Sequence, residues 1–151
     1  MEYEELKLAV DKLGKEYITE LAIQLADADK VASGKLLRSL NYYVIEVLGN
    51  FMIQVISGSY LEYVDKGRKP GKQPPQSAIK KWIDIRGISP DKGMTKDGLA
   101  FVIARSIGRK GIQPTGVIKK SMANVMKSKE ILSKAAGKDV EKYIKNILIN
   151  I

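Results

Sequence analysis

The sequence contains no cysteine and no histidine. Without cysteine the chain cannot form a disulfide framework, a thiolate zinc site or a cysteine nucleophile, and such a composition is typical of a protein that matures in a reducing cytoplasm. Without histidine it lacks the commonest general base and the commonest transition-metal ligand. Because hydrolytic triads and most zinc or iron sites depend on these two residues, the composition predicts a protein that is not an enzyme and has no metal or cofactor.

Long apolar runs and a basic amino terminus are missing as well. No apolar stretch approaches the ~20 residues that cross a bilayer, and the first five residues are acidic where a signal peptide would be basic. We therefore expect neither membrane association nor export. The apolar fraction of 44% is near the globular norm, and a length of 151 residues suits one domain.

Positive charge is abundant, and its distribution along the chain is uneven. The net charge is +9, yet residues 1–30 contain four Lys and eight Asp or Glu, against 22 cations and nine acids in the remainder. A basic bulk favours an anionic partner, either DNA or the acidic face of a neighbouring subunit. However, 21 of the 26 cations are Lys, and scattered Lys is most often an ordinary solvated surface.

Hydrophobic periodicity predicts an α+β fold that begins with a long helix. Over residues 3–28, apolar side chains recur at alternating steps of four and three, namely at Leu6, Val10, Leu13, Tyr17, Leu21 and Leu25. Residues 42–48 and 51–57 are rich in β-branched and aromatic side chains, and Gly49-Asn50 between them predicts a two-residue hairpin turn. Because both strands are apolar on nearly both faces, we expect a helix on one side of this antiparallel sheet and a helix or a partner on the other.

The rest of the chain is predicted to be mostly helical. Helices are expected over residues 35–40, 59–66, 76–86 and 99–110, and again from 117 to the end, with an interruption at 137–139 where Asp139 would cap a last helix. Trp82 and Phe101 are expected in the core, as are the tyrosines around the hairpin. We predict one domain over residues 1–151, comprising an N-terminal helix (1–30), a core (31–125) and a helical C-terminal extension (126–151).

A proline-containing basic loop is the best functional candidate on residues alone. It carries Lys66, Arg68, Lys69 and Lys72. A cationic loop stiffened by proline can contact phosphates or an acidic subunit at low ordering cost, and the alternative is a solvated turn. Further candidates, for subunit contacts, are Glu4 and Asp11 on the first helix, Arg105 and Arg109 in the last turn of helix 99–110, and Ile149 and Ile151 in the apolar C-terminus.

Four stretches in a fixed order resemble the head-tail joining family of tailed bacteriophages, also called tail-completion or neck proteins. They are SGKLLRSL at 33–40, YLEYVDKG at 60–67, Pro75 with IKKWI at 79–83 and Gly87-Ile88, and AFVIARSI at 100–107 running into GIQP at 111–114. The resemblance covers residues 31–125. The sequence departs from the family in having Asp65 where Glu often precedes the Gly, and in its Lys-rich C-terminal extension, which leaves stoichiometry and neighbours open.

The resemblance implies a structural virion protein with an α+β fold. Such a subunit assembles as a homo-oligomeric ring in the bacterial host cytoplasm and sits at the neck, between the portal or a head-completion adaptor and the tail tube or tail terminator proteins. Packaged DNA passes through the ring, so non-specific contact with DNA is expected. Two alternatives remain: a DNA-binding regulator in which helices 76–86 and 99–110 form a helix-turn-helix-like element despite the long loop between them, and a tail terminator or minor tail protein.

Overall fold

The computed structural model describes residues 3–31 and 33–149, and in this part of the chain the fold is α+β, as predicted. Its elements are α1 (Glu4–Asp27), α2 (Lys35–Ser39), β1 (Asn41–Val47), β2 (Asn50–Ile56), α3 (Tyr60–Lys66), α4 (Gln76–Arg86), α5 (Lys96–Lys110), α6 (Val117–Val125), a 3₁₀ turn (Met126–Ser128) and α7 (Glu130–Ile149). The two strands form one antiparallel sheet.

Helix α1 is the centre of the main core. Four residues of the predicted stripe are buried in this core, and they pack with buried residues of α3 and α6: Leu13, Tyr17, Leu21 and Leu25 with Leu61, Val64, Val117 and Val125. Leu21 and Leu25 have no exposed surface. Since burying a leucine side chain contributes about 1.5–3 kcal/mol relative to leaving it in water, this stripe holds the hairpin side and the α6 side of the molecule together.

The hairpin lies against α1 with one face only. Side chains at alternate positions, such as Val44, Ile53 and Val55, turn towards the helix and are half-buried. Gly14 permits the close approach, because a Cβ atom there would lie 2.5 Å from the ring of Tyr42. The Tyr42 hydroxyl donates a hydrogen bond to Asp11 on α1 (3.1 Å), which fixes the hairpin on the helix.

The hairpin turn differs by one residue from the prediction. Val47 pairs with Asn50, so the two central residues are Leu48 and Gly49, with φ of 52° and 77°. Two positive φ angles define a type I′ turn, whose twist matches that of the flanking strands. The prediction that Gly49 is the first central residue was wrong. The register of the strand pairing, and not the glycine alone, decides which two residues form the turn.

Helix α7 runs without interruption from Glu130 to Ile149, so the predicted break at residues 137–139 is wrong. One glycine in a helix costs only about 1 kcal/mol, and packing on α1 overrides that cost. Asp139 does not cap α7. It is 2% exposed and accepts hydrogen bonds from the backbone N–H groups of Glu5 (3.1 Å) and Leu6 (2.9 Å), so it caps the N-terminus of α1 from a distant part of the sequence.

Helices α4 and α5 form a second, smaller core. Its buried residues are Ile79 and Ile83 of α4 and Ala100 and Ala104 of α5, with Trp82 packed at its edge under the guanidinium of Arg86. On α5, Leu99, Ile103 and Ile107 pack at the margin of this core, whereas Phe101 and Val102 turn outwards. Phe101 is 45% exposed, so its prediction as a core residue was wrong, and Tyr43, Tyr60 and Tyr63 are likewise exposed.

Candidate functional site

The basic loop of residues 67–75 is joined to the C-terminal end of α5 by backbone hydrogen bonds. Arg68 and Ile112 form an antiparallel bridge, with N···O distances of 2.8 Å from Arg68 to Ile112 and 2.7 Å in return. One turn earlier on α5, the carbonyl of Gly108 accepts a bond from the N–H of Gly71 (2.8 Å). Three backbone bonds across about forty residues of sequence therefore fix the position of the loop.

Glycines make this close approach of two backbones feasible. Gly111 has φ of 73°, and a Cβ atom there would lie 2.1 Å from the carbonyl oxygen of Arg68. On the other segment, a Cβ at Gly67 would lie 2.3 Å from the carbonyl oxygen of Ile112. Gly108 is buried against Gln73. A side chain at any of these positions would push the segments apart.

The joined segments bring six cations to one end of the α4–α5 unit. This basic cluster consists of Arg68, Lys69, Lys72, Arg105, Arg109 and Lys110. Within the described residues none of the six forms an ion pair with a carboxylate. Arg68 donates from Nη2 to the carbonyl oxygen of Lys72 (2.6 Å), which orients its guanidinium along the loop. The positive charge of the cluster is therefore not neutralised by neighbouring side chains.

Most acids of the α4–α5 unit lie at its other end. Asp97 in the first turn of α5 pairs with Lys80, and Asp84 near the end of α4 pairs with Lys96. At 1.5 Å per residue, Asp97 is about 18 Å along the helix from Arg109. The negative end of the α5 dipole favours Arg109 and Lys110 at that terminus.

The other predicted site residues lie outside the cluster. Lys66 pairs with Glu62 (2.9 Å), and the hydrogen bond that its ammonium donates to this carboxylate raises the pKa of Lys66. Asp11 accepts a hydrogen bond from the hydroxyl of Tyr42, while Glu4 is exposed in the first turn of α1. Ile151 and the side chain of Ile149 lie outside the described residues; their neighbour Leu148 is 67% exposed.

A second surface of interest is the face of the hairpin that points away from α1. This outer face exposes five large apolar side chains: Tyr43, Ile45, Val47, Met52 and Ile56. Ile45 and Met52 are directly paired across the strands. Within residues 3–31 and 33–149 neither outer edge of the hairpin pairs with another strand. Helix α7 adds an exposed apolar stripe at its C-terminal end, with Val140, Tyr143 and Ile144.

Neither surface carries the geometry of a metal centre or a membrane span. Among the residues that the structure describes, no three His, Cys, Asp or Glu side chains come together as ligands for a metal ion. No helix in the same part of the chain combines the length and apolarity needed to cross a bilayer. Comparison of the sequence with protein-family models and with curated proteins, and of the fold with solved structures, gives no significant match.

Sequence reasoning identified the basic loop and the α5 arginines separately, but not their proximity. The available signal was Gly67 and Gly111, each just after a helix and each bordering one of the two segments. Glycine at a helix end is common, so this signal does not reveal which two segments meet.

Proposed function

We propose that the chain is a structural subunit that self-associates through its hairpin, in a ring at the neck of a tailed bacteriophage. The observation that carries the self-association is the uncovered outer face with its two unpaired strand edges. A two-stranded hairpin is marginally stable alone in water, and soluble proteins normally protect exposed edges with Lys, Pro or bulges. Strands β1 and β2 contain no Lys, Pro or Gly.

Charge favours a second copy of the same chain as the occupant of this face. A molecule with a net charge of +9 repels its copies, and the repulsion is least where neutral surfaces meet. Between residues 39 and 59 the only charged side chain is Glu46. The hairpin is therefore the neutral surface of a basic protein. Pairing of edges would use its free backbone groups, and packing of outer faces would cover its apolar side chains.

The neck of a phage particle is proposed from the ordered resemblance over residues 31–125. The stretches at 33–40 and 60–67 flank the hairpin, and those at 79–83 and 100–107 form the small α4–α5 core. A homo-oligomeric ring requires a head-to-tail interface with rotational closure, and two unlike edges on one hairpin provide such an interface. The role is structural, with no chemical step assigned to any residue.

Self-association is tested by replacing Met52 on the outer face, which is 64% exposed, with Lys. In analytical ultracentrifugation or native mass spectrometry, we expect the wild-type chain, alone or mixed with phage portal and tail proteins, to form closed oligomers. The Met52→Lys variant should remain monomeric. The matched control is Leu8→Lys on α1, where the replaced side chain is 67% exposed and lies off the sheet. Circular dichroism should show that both variants keep their helical content.

Two results would contradict the proposal. Oligomers that survive Met52→Lys but are lost in Leu8→Lys would place the interface on α1 instead of the hairpin. Mass spectrometry of purified particles provides the second test, since the proposal requires the chain to be present in the virion in a fixed multiple. Its absence from intact particles, together with failure to form rings beside its proposed partners, would remove the neck assignment.

A further inference from the structure

The basic cluster is an uncompensated concentration of charge held on a fixed backbone. Folding places six cations together at one end of the α4–α5 unit while Asp84 and Asp97 are paired at the other, and like charges in proximity cost stability. We propose that the basic cluster binds the phosphate backbone of duplex DNA without regard to base sequence. The inference assigns residues to the DNA contact that the resemblance leads us to expect, and it does not require the chain to form a ring.

The surroundings of the cluster favour nucleic acid over an acidic protein. Protein interfaces have an apolar centre, whereas DNA-binding surfaces are polar and strongly positive. In residues 68–73 and 105–114, all of which the structure describes, no large apolar side chain is exposed; the exposed Phe101 and Val102 lie one turn before Arg105 on α5. The exposed neutral residues include Gln73, Ser106 and Gln113, whose side chains donate hydrogen bonds of the kind that phosphate oxygens accept.

The backbone bonds between the two segments lower the cost of binding. A mobile lysine-rich loop loses conformational freedom when it meets a ligand, and that loss reduces affinity. Here the loop is already fixed by the Arg68–Ile112 bridge and the Gly71–Gly108 bond, and the Arg68 guanidinium is already oriented by the Lys72 carbonyl. Only the ends of the lysine and arginine side chains remain to be ordered by phosphates.

The position of the cluster argues against sequence-specific contacts with DNA bases. In a helix-turn-helix, the N-terminal residues of the second helix contact base edges, and a tight turn of about three to four residues precedes it. In this chain residues 87–95 separate α4 from α5, and the cations occupy the C-terminal end of α5. Contacts from a helix end and a loop fit the backbone of a duplex, which positions a protein but carries no sequence information.

The test is equilibrium binding of the full-length chain to two fluorescent 25-base-pair duplexes of unrelated sequence, at several salt concentrations. Two variants each remove two charges from exposed positions of the cluster: Lys69→Gln/Lys72→Gln and Arg105→Gln/Arg109→Gln. Each phosphate contact contributes about 0.9 to the slope of log affinity against log salt, so each variant should lower that slope by about 1.8 and weaken binding more than ~10-fold at 50 mM salt. The wild-type affinities for the two duplexes should agree within about threefold.

The matched control is Lys7→Gln/Lys134→Gln, which removes the same charge from exposed lysines of α1 and α7. It should leave the salt slope unchanged. The proposal is overturned if this control weakens binding as much as the cluster variants, or if the wild-type chain does not bind at 50 mM salt. It is also overturned if polyglutamate of equal charge competes as well as DNA, which would indicate an acidic protein, or if one duplex is preferred by orders of magnitude.

Discussion

At the residue scale, some glycines are needed because a neighbouring backbone leaves no room for a side chain, whereas at other glycine positions a side chain would meet no neighbour. Gly111 combines a positive φ with a Cβ position 2.1 Å from a carbonyl oxygen, whereas Gly137 is exposed on α7 with no atom within 4 Å of its Cβ position. We expect Gly111→Ala to lower the free energy of unfolding by more than about 2 kcal/mol, because both strain and overlap oppose it. Gly137→Ala should raise it by up to about 1 kcal/mol, because alanine is the better helix former.

Urea denaturation of the two alanine variants tests this contrast under identical conditions. The DNA affinity of Gly111→Ala should fall together with its stability, since the loop loses its attachment to α5. Equal effects of the two substitutions, or a stabilised Gly111→Ala, would mean that the segments around Arg68 and Ile112 do not approach as described.

A second residue-scale prediction concerns acid sensitivity at Glu20. Hydrogen bonds from Asn124 of α6 (2.6 Å) and, to a smaller extent, Gln24 (2.9 Å) lower the pKa of Glu20 below its usual 4.5. A carboxyl with a lowered pKa in the folded state contributes stability that is present above its unfolded pKa and is lost as the pH falls through the folded pKa. We therefore expect Glu20→Gln to reduce the loss of thermal stability below about pH 4.5. A melting series from pH 6 to pH 3 on both proteins measures the effect, and parallel curves would contradict it.

At the element scale, α7 is part of the main body, because its Asp139 caps α1. Asp139→Ala removes the acceptor for two part-buried backbone N–H groups at the start of α1, so we expect a loss of about 1–2 kcal/mol in the free energy of unfolding. Hydrogen exchange should then become faster in the first turn of α1. The control is Glu141→Ala on the same helix, whose exposed pair with Lys145 should contribute little. If both substitutions have the same effect, the cap by Asp139 contributes nothing to the stability of the fold.

The elements also show how far a single sequence predicts a fold. The predicted stripe of α1 is confirmed, because one face of that helix is apolar and the core covers it. Leu21 and Leu25 on this face have no exposed surface. In α5 the prediction for Phe101 failed, because Leu99, Ile103 and Ile107 pack in the small core together with Ala100 and Ala104 and leave Phe101 on the exposed side. Periodicity gives the direction of a stripe but not how far around the helix the neighbouring elements will cover it.

The residues of the candidate site could be predicted one by one, but their proximity in the fold could not. The loop cations were visible because Pro, Gly and Lys cluster locally, and Arg109 was visible because it ends a periodic segment. Their proximity depends on a bridge between Arg68 and Ile112, and no local pattern encodes contact between residues so far apart in the chain. The cap by Asp139 was missed for the same reason, since a local cap was assumed where a tertiary one forms.

At the scale of the whole molecule, charge is separated: a neutral hairpin, ion pairs between α1 and α7, and the unpaired basic cluster. Separation of this kind has a consequence for stability that is independent of any ligand. Like charges held together repel one another, and the Debye length falls from about 30 Å at 0.01 M salt to about 8 Å at 0.15 M. Added salt should therefore stabilise the folded chain by screening the cluster, although it weakens DNA binding.

We expect the melting temperature of the wild-type chain, measured at a concentration where it is monomeric, to rise by about 2–4 °C between 0.01 M and 0.15 M sodium chloride. In Lys69→Gln/Lys72→Gln the rise should shrink and the melting temperature in low salt should exceed that of the wild type, because two of the repelling charges are gone. In Lys7→Gln/Lys134→Gln, which has the same net charge, the wild-type rise should persist.

If the two variants respond alike, net charge alone governs stability and the cluster carries no local strain. If only the cluster variant gains melting temperature in low salt, the residues that weaken the fold are the same ones that bind phosphate. This result is expected where a protein retains charge for a ligand at the expense of stability.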